Sequence, residues 1–216
     1  MTRVKICGLT SEDDLETAVE AGADALGIIC DVSVDTPREV SIERAKALVA
    51  AAPPFVTTVL VTMPSGPNRA IELVEEIEPD AVQYHGSIRP GDLAYLRAKI
   101  DAQLLLAVDA DDAETAAAYD DVVDGLIVDT PGEDGGGGTG KTHDWEQTRL
   151  AAVDLESPLI LAGGLTPDNV GDAVRTVEPF AVDVASGVEA DGGVKDPDAV
   201  RSFIDRATNA RRPAEL

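Results

Sequence analysis

The sequence predicts a single α/β domain folded as a (β/α)8 barrel of the TIM type, a closed ring of parallel strands, and three observations predict it. Short runs rich in Val, Ile, Leu and Ala alternate with amphipathic helical segments along the whole chain. Eight such strand–helix units share 216 residues, about 27 residues each. The strands are continuous apolar runs rather than alternating ones, the pattern of a parallel sheet covered on both faces. An open doubly wound sheet is the runner-up topology. No linker or shift of composition divides the chain, so residues 1–216 read as one domain.

Val4 to Cys7, closed by Gly8, is the first strand. Thr10 or Ser11 caps the helix after it, which carries acids in its first turn and runs through Ala21. Ala25 to Cys30 is the second strand, and Ser41 opens a helix that Pro53-Pro54 stops. Thr57 to Val61 is β-branched and reads as a strand. Its helix, Pro67 to Ile77, has proline at a tolerated first-turn position. Ala81 to His85 and Leu104 to Val108 are the next strands, followed by helices over Pro90 to Ile100 and Asp111 to Tyr119. Leu126 to Asp129 leads into a glycine-rich loop and a helix that begins near Asp144-Trp145. Pro158 to Ala162 with Pro167 to Val177, and Ala181 to Ala185 with Asp196 to Ala207, complete the eight units. Asn209 to Leu216 reads as a frayed tail.

Charge and composition narrow the function. The chain has 41 acidic and 17 basic residues, a net charge of −24. A nucleic-acid binder needs basic surface, so that class is excluded. The acids are scattered, which fits an acidic shell on a folded domain. Only 5 of the basic residues are Lys, and the whole pattern suits a salt-adapted protein whose self-repulsion is screened at high ionic strength. No apolar run approaches the roughly 20 residues that cross a bilayer. Two cysteines and no secretory layout at the N-terminus point to a reducing cytoplasm.

In such a barrel the chemistry sits where strands end. Cys7 ends the first strand, with Lys5 two residues earlier on the same face. A nearby ammonium is expected to lower the thiol from its usual value of about 8.5 and make Cys7 a general base; the position also suits a small core residue. Asp129 ends the sixth strand, where desolvation can raise a carboxyl and make it a general acid; it also suits a cap on the turn before Pro131. Gly164 follows the seventh strand, and Ser186 and Gly187 the eighth, where backbone amides of such barrels bind phosphate. His85 ends the fourth strand, and Arg38 in the long second loop can meet a carboxylate with two bonds.

Gly135 to Thr142 fits the phosphate-loop pattern G-x-x-x-x-G-K-[ST]. A nucleotide hydrolase is therefore an alternative reading. Its context is wrong, since Thr130 to Asp134 separate the strand from the loop and His143 to Trp145 delay the helix. A flap over a substrate fits these small residues better.

Together these segments resemble the phosphoribosylanthranilate isomerase family of tryptophan biosynthesis. The resemblance spans Val4 to Phe203. It rests on Val4-Lys5-Ile6-Cys7-Gly8-Leu9-Thr10, Gly22 to Gly27, Val82 to Gly86, Val128-Asp129-Thr130, Gly137 to Thr142, Gly163 to Val170 and Asp183 to Glu189. It implies an Amadori rearrangement of an N-phosphoribosyl aminoaldose, with Asp129 as the acid that opens the sugar and Cys7 as the base at C2′. It places the anthranilate carboxylate on Arg38 and phosphate on Gly164, Ser186 and Gly187. It implies no metal and no organic cofactor, a small phosphosugar as partner, and a monomer or homodimer. His143 stands where the family often has phenylalanine, and Glu39 where an aromatic follows the arginine. Another phosphosugar barrel enzyme, or a barrel that binds phosphosugars without turnover, are the other readings.

Overall fold

The expected strands form, and they close. A computed structural model describes residues 1–110, 116–130, 142–153 and 155–210. In it β1 (Arg3–Cys7), β2 (Ala25–Ile29), β3 (Thr57–Thr62), β4 (Ala81–His85), β5 (Gln103–Asp109), β6 (Gly125–Asp129), β7 (Leu159–Leu161) and β8 (Ala181–Val184) follow in chain order. Each pairs in parallel with the next, and β8 returns to β1 with Lys5 opposite Asp183. The open doubly wound alternative is thereby excluded.

Around the ring lie α1 (Glu12–Glu20), α2 (Ile42–Ala51), α3 (Pro67–Ile77), α4 (Pro90–Arg97), α5 (Trp145–Ala152), α6 (Val170–Val177) and α7 (Pro197–Asn209). Side-chain caps start several of them. Ser11 Oγ accepts from the Asp14 amide at 3.1 Å, Ser41 Oγ from the Arg44 amide at 3.2 Å, and Asp196 from the first turn of α7. Among the described residues no helix is long and apolar enough to cross a membrane.

Alternation along each strand divides the apolar side chains between two cores. In β1, Val4 and Ile6 face the helices and join the larger cluster, whereas Cys7 points into the ring. The apolar part of the ring interior is Cys7, Val59, Val61, Ala81, Leu105, Ile127, Ile160, Ala162 and Ala181. None is aromatic; Val, Leu and Ile supply most of the bulk.

Three departures from the sequence reading have local causes. The helix expected over Asp111 to Tyr119 lies partly outside the described residues, and residues 116–118 form one 3-10 turn. Helix α6 starts at Val170 rather than Pro167, because Asn169 Oδ1 accepts from the Thr166 amide at 2.8 Å and closes a turn first. After β8 the chain makes a short turn, Ser186–Val188, and then a small hairpin of β9 (Glu189–Asp191) and β10 (Val194–Lys195). Strands of three and two residues are too short to show a period, although Gly192-Gly193 between them is a hairpin signal.

Candidate active site

All seven residues selected from the sequence line one cavity. It has a volume of about 590 Å³, opens at the C-terminal ends of the strands, and is bordered by Cys7, Arg38, His85, Asp129, Gly164, Ser186 and Gly187. Gln83 and Asp183 line it too.

Cys7 is buried at the end of β1, and its register partner on β2 is Gly27. A side chain at Gly27 would put its Cβ 2.7 Å from Cys7 Sγ, so glycine here makes room for the thiol. Cys30, by contrast, packs in the outer core toward the helices, and the two thiols face opposite sides of the sheet.

Lys5 shares the inward face with Cys7, as its spacing requires, but the expected effect on the thiol is overturned. Lys5 Nζ donates to Asp183 Oδ2 at 2.9 Å, with both side chains less than a tenth exposed. Burial opposes the ammonium, yet Asp183 and Cys7 beside it outweigh burial and raise its pKa. For Cys7, burial is the largest influence and pushes the thiol up; Lys5 and Lys195 pull the other way without reversing it, and Asp183 adds to the rise. An ammonium already matched by a carboxylate does little for a desolvated neighbour.

Asp129 behaves as the sequence suggests. Burial pushes its carboxyl up to about 6, and the nearby charges of Asp183 and Asp109 add to this, while the Thr130 amide and Lys5 act against it. Its Oδ1 is buried without a hydrogen-bond partner among the described residues. Asp183 Oδ1 and Gln83 Oε1 are in the same condition. Three acceptors without donors at one cavity suit a hydroxyl-rich ligand.

Arg38 does meet a carboxylate with two bonds, but one from its own chain. Its Nε and Nη2 donate to Glu189 Oε1 and Oε2 at 2.8 and 2.7 Å. His85 is half-buried at the end of β4, opposite Ala107. On the far side, the Gly164 carbonyl accepts from Asn169 Nδ2 at 2.9 Å, which fixes the turn after β7. At Gly187 an added Cβ would lie 1.9 Å from the Leu165 carbonyl oxygen, so the loops after β7 and β8 pack backbone to backbone.

The Gly135 to Lys141 part of the phosphate-loop pattern lies outside the described residues. The residues flanking it are joined, since Thr130 Oγ1 and His143 Nδ1 lie 2.9 Å apart next to Asp129. Among the described residues no group of three or more His, Cys, Asp or Glu is placed to hold a metal ion.

Four residues escaped the sequence reading as site residues. Gln83 and Asp183 carried a signal, since each interrupts an apolar strand at the inward register of Ala81 and Ala181. Glu189 and Lys195 carried none, because they meet only through the hairpin.

Comparison with known proteins identifies the family of the chain. Residues 4–206 match the model of the family described as N-(5′-phosphoribosyl)anthranilate (PRA) isomerase. A relative of that name from Halobacterium salinarum is 59% identical over 99% of both chains, in keeping with the salt-adapted composition. The crystal structure of phosphoribosyl anthranilate isomerase from Thermotoga maritima is 36% identical and superposes with a TM-score of 0.85, covering 97% of this chain and 100% of that one. A further solved isomerase, in complex with reduced 1-(o-carboxyphenylamino)-1-deoxyribulose 5-phosphate, is 33% identical, with a TM-score of 0.82 over 97% of this chain and 100% of its own. From its sequence, its closed barrel and these likenesses, the chain belongs to the N-(5′-phosphoribosyl)anthranilate isomerase family.

Proposed function

We propose that the chain rearranges N-(5′-phosphoribosyl)anthranilate to 1-(2-carboxyphenylamino)-1-deoxyribulose 5-phosphate, with Asp129 as general acid and Cys7 as general base. The observation that carries this reading is that both groups line one cavity whose other borders can hold the two charged ends of such a substrate. Asp129, protonated, gives its proton to the furanose ring oxygen. The C1′–O bond breaks as the anilino nitrogen lone pair forms C1′=N. The Cys7 thiolate then takes the C2′ proton, and that electron pair makes the C1′=C2′ enolamine and neutralises the nitrogen. Tautomerisation to the C2′ ketone completes the reaction.

The two groups support these roles in unequal ways. An acid at about 6 is protonated in a useful fraction near neutrality. A thiol raised by burial is a stronger base once ionised but is rarely ionised. The productive pair, protonated Asp129 with ionised Cys7, is thus a minority form. Arg38 meets the anthranilate carboxylate, while Gly164, Ser186 and Gly187 take the phosphate. His85 borders the site between them.

The test is fluorescence-monitored conversion of phosphoribosyl anthranilate in molar and in millimolar salt. Turnover is expected, and greater in molar salt, where the −24 charge is screened. Binding of magnesium-ATP that depends on Lys141, without conversion of the sugar, would instead support the nucleotide hydrolase.

A further inference from the structure

Beyond the groups that act on the sugar, the mouth of the barrel holds a buried cluster of Arg38, Glu189 and Lys195. Glu189 grips Arg38 from the side through Nε and Nη2. Lys195 Nζ donates to Glu189 Oε1 at 2.7 Å and to the Ala185 carbonyl at 3.2 Å. The side chains of Glu189 and Lys195 are 5% and 0% exposed, a costly place for charges that do no more than cancel.

The cluster is bolted down on every side. The Arg38 stem lies on Gly8, where an added Cβ would sit 2.7 Å from Arg38 Cδ. Thr10 Oγ1 donates to the Gly193 carbonyl at 2.8 Å, and the Lys195 amide donates to Asp14 Oδ1 at 3.0 Å. The hairpin is thus tied to the segment around α1, with Glu189 and Lys195 carried on its two strands.

A guanidinium has five N–H groups. Glu189 uses the Nε–H and one on Nη2, which leaves both on Nη1 and one on Nη2. One on Nη1 and the one on Nη2 form the end-on fork, the other edge on which a guanidinium takes a carboxylate with two bonds, while the second on Nη1 points back toward the side-chain stem. Arg38 borders the cavity, so this edge is the one available to a ligand. Charge gives the second half of the argument. An arginine neutralised by Glu189 alone would offer an anion almost no net attraction. With Lys195 the cluster holds two cations and one anion.

We propose that Glu189 and Lys195 are positioning residues for the aryl carboxylate of the substrate, Glu189 by turning the Arg38 fork toward the cavity and Lys195 by restoring the positive charge that Glu189 removes. The Glu189 carboxylate and the Arg38 guanidinium support each other: burial would raise Glu189, yet Arg38 and Lys195 hold it below its ordinary value, and Glu189 raises Arg38; burial lowers Lys195, with Glu189 acting against it. This inference rests on the isomerase reading above.

The experiment uses two probes in molar salt, reduced 1-(o-carboxyphenylamino)-1-deoxyribulose 5-phosphate and the same molecule without its carboxyl. Lys195→Met is expected to weaken the carboxylated probe by about tenfold or more and the other by less than about twofold. Glu189→Gln with Lys195→Met returns the net charge to one cation and keeps an acceptor for Arg38. This double variant is expected to recover the carboxylated probe to within about threefold of the parent. Glu189→Ala raises the net charge but frees the fork, and is expected still to weaken the carboxylated probe about threefold or more. Equal losses for both probes in Lys195→Met, or tighter binding of the carboxylated probe by Glu189→Ala, would overturn the inference even if the parent enzyme turns over. A parent that neither binds the carboxylated probe nor converts the substrate would instead sink the isomerase reading with it.

Discussion

At the lower rim of the barrel, Asp24, Asp80 and Asp124 stand immediately before β2, β4 and β6. Each accepts a backbone amide from the preceding strand, that of Val4, Thr58 or Leu104, at 2.8 Å in all three cases. At the upper rim, Asp129 and Asp183 each keep a buried oxygen without a hydrogen-bond partner among the described residues. The same residue type is satisfied at one end of the strands and left wanting at the other. The lower acids hold the ring in register. At the upper rim burial holds Asp129 as a carboxyl that resists ionisation, which is what an acid catalyst requires and what a stable fold avoids.

The largest expected effect breaks this comparison at the top. Asp129→Asn and Cys7→Ala should each lower turnover by about two to four orders of magnitude, the range of general acid–base catalysis, while the reduced product analogue still binds. Single-turnover kinetics with a binding titration check it. Near-parental turnover in Cys7→Ala would remove the thiol from its role as base.

Much of this arrangement was legible in the sequence. Strand alternation alone puts Lys5 with Cys7, and the ends of strands name Asp129 and His85, whereas the side on which Cys30 lies depends on the register between β1 and β2 and is not legible from either strand. What it could not give is the balance of energies. Lys5 and Cys7 were correctly paired, but the carboxylate that takes the ammonium comes from β8, the strand that closes the ring. Arg38 was recognised as a partner for carboxylates, but Glu189 reaches it only once the hairpin folds across the second loop. Contacts between distant segments decide pKa values, and no local pattern carries them.

The next effect is a pH dependence, and it sharpens the contrast. Asp129 has a folded value of about 6 against 3.8 for the ordinary group. Since the folded value is the higher one, the protonated form is favoured by folding. Stability from this group is full below about 4 and is lost as pH rises through about 6. The gap corresponds to a cost on the order of 2–3 kcal/mol at pH 7. Asp129→Asn removes it, so the variant should gain on the parent between pH 4 and 7 in chemical denaturation at constant molar salt. A constant difference across that window would mean that Asp129 ionises as freely as in the unfolded chain. In the active enzyme the same group should set the acid limb of kcat/KM near 6, with a plateau above it, because protonated Asp129 with ionised Cys7 carries one proton, as does the majority form.

At the bottom the expectation is reversed. Asp80 Oδ2 accepts from both the amide and the hydroxyl of Thr58, at 2.8 and 2.7 Å. Asp80→Ala should cost about 1–3 kcal/mol of stability and leave kcat within about twofold, since the site lies at the other end of the strands. Loss of kcat without loss of stability would mean that the two rims are not separable in this way.

The smallest effect concerns the one even strand that lacks the device. Phe180 stands before β8 where the others have aspartate, and its ring lies 4.4 Å from the Arg3 guanidinium carbon. Its backbone already follows the pattern, since the Phe180 amide donates to Leu159 as the Asp124 amide donates to Leu104. Phe180→Asp would offer the Leu159 amide an acceptor, a gain of about 1 kcal/mol, and would exchange a cation–π contact of similar size for an ion pair with Arg3. Burial changes little, because Phe180 is nearly half exposed. The net change should therefore stay within about 1 kcal/mol and fall on the stabilising side in molar salt, where one more negative charge costs least. A larger loss on denaturation would show that β8 needs the ring of Phe180, and that the lower rim is held by three equivalent joints and a fourth of another kind.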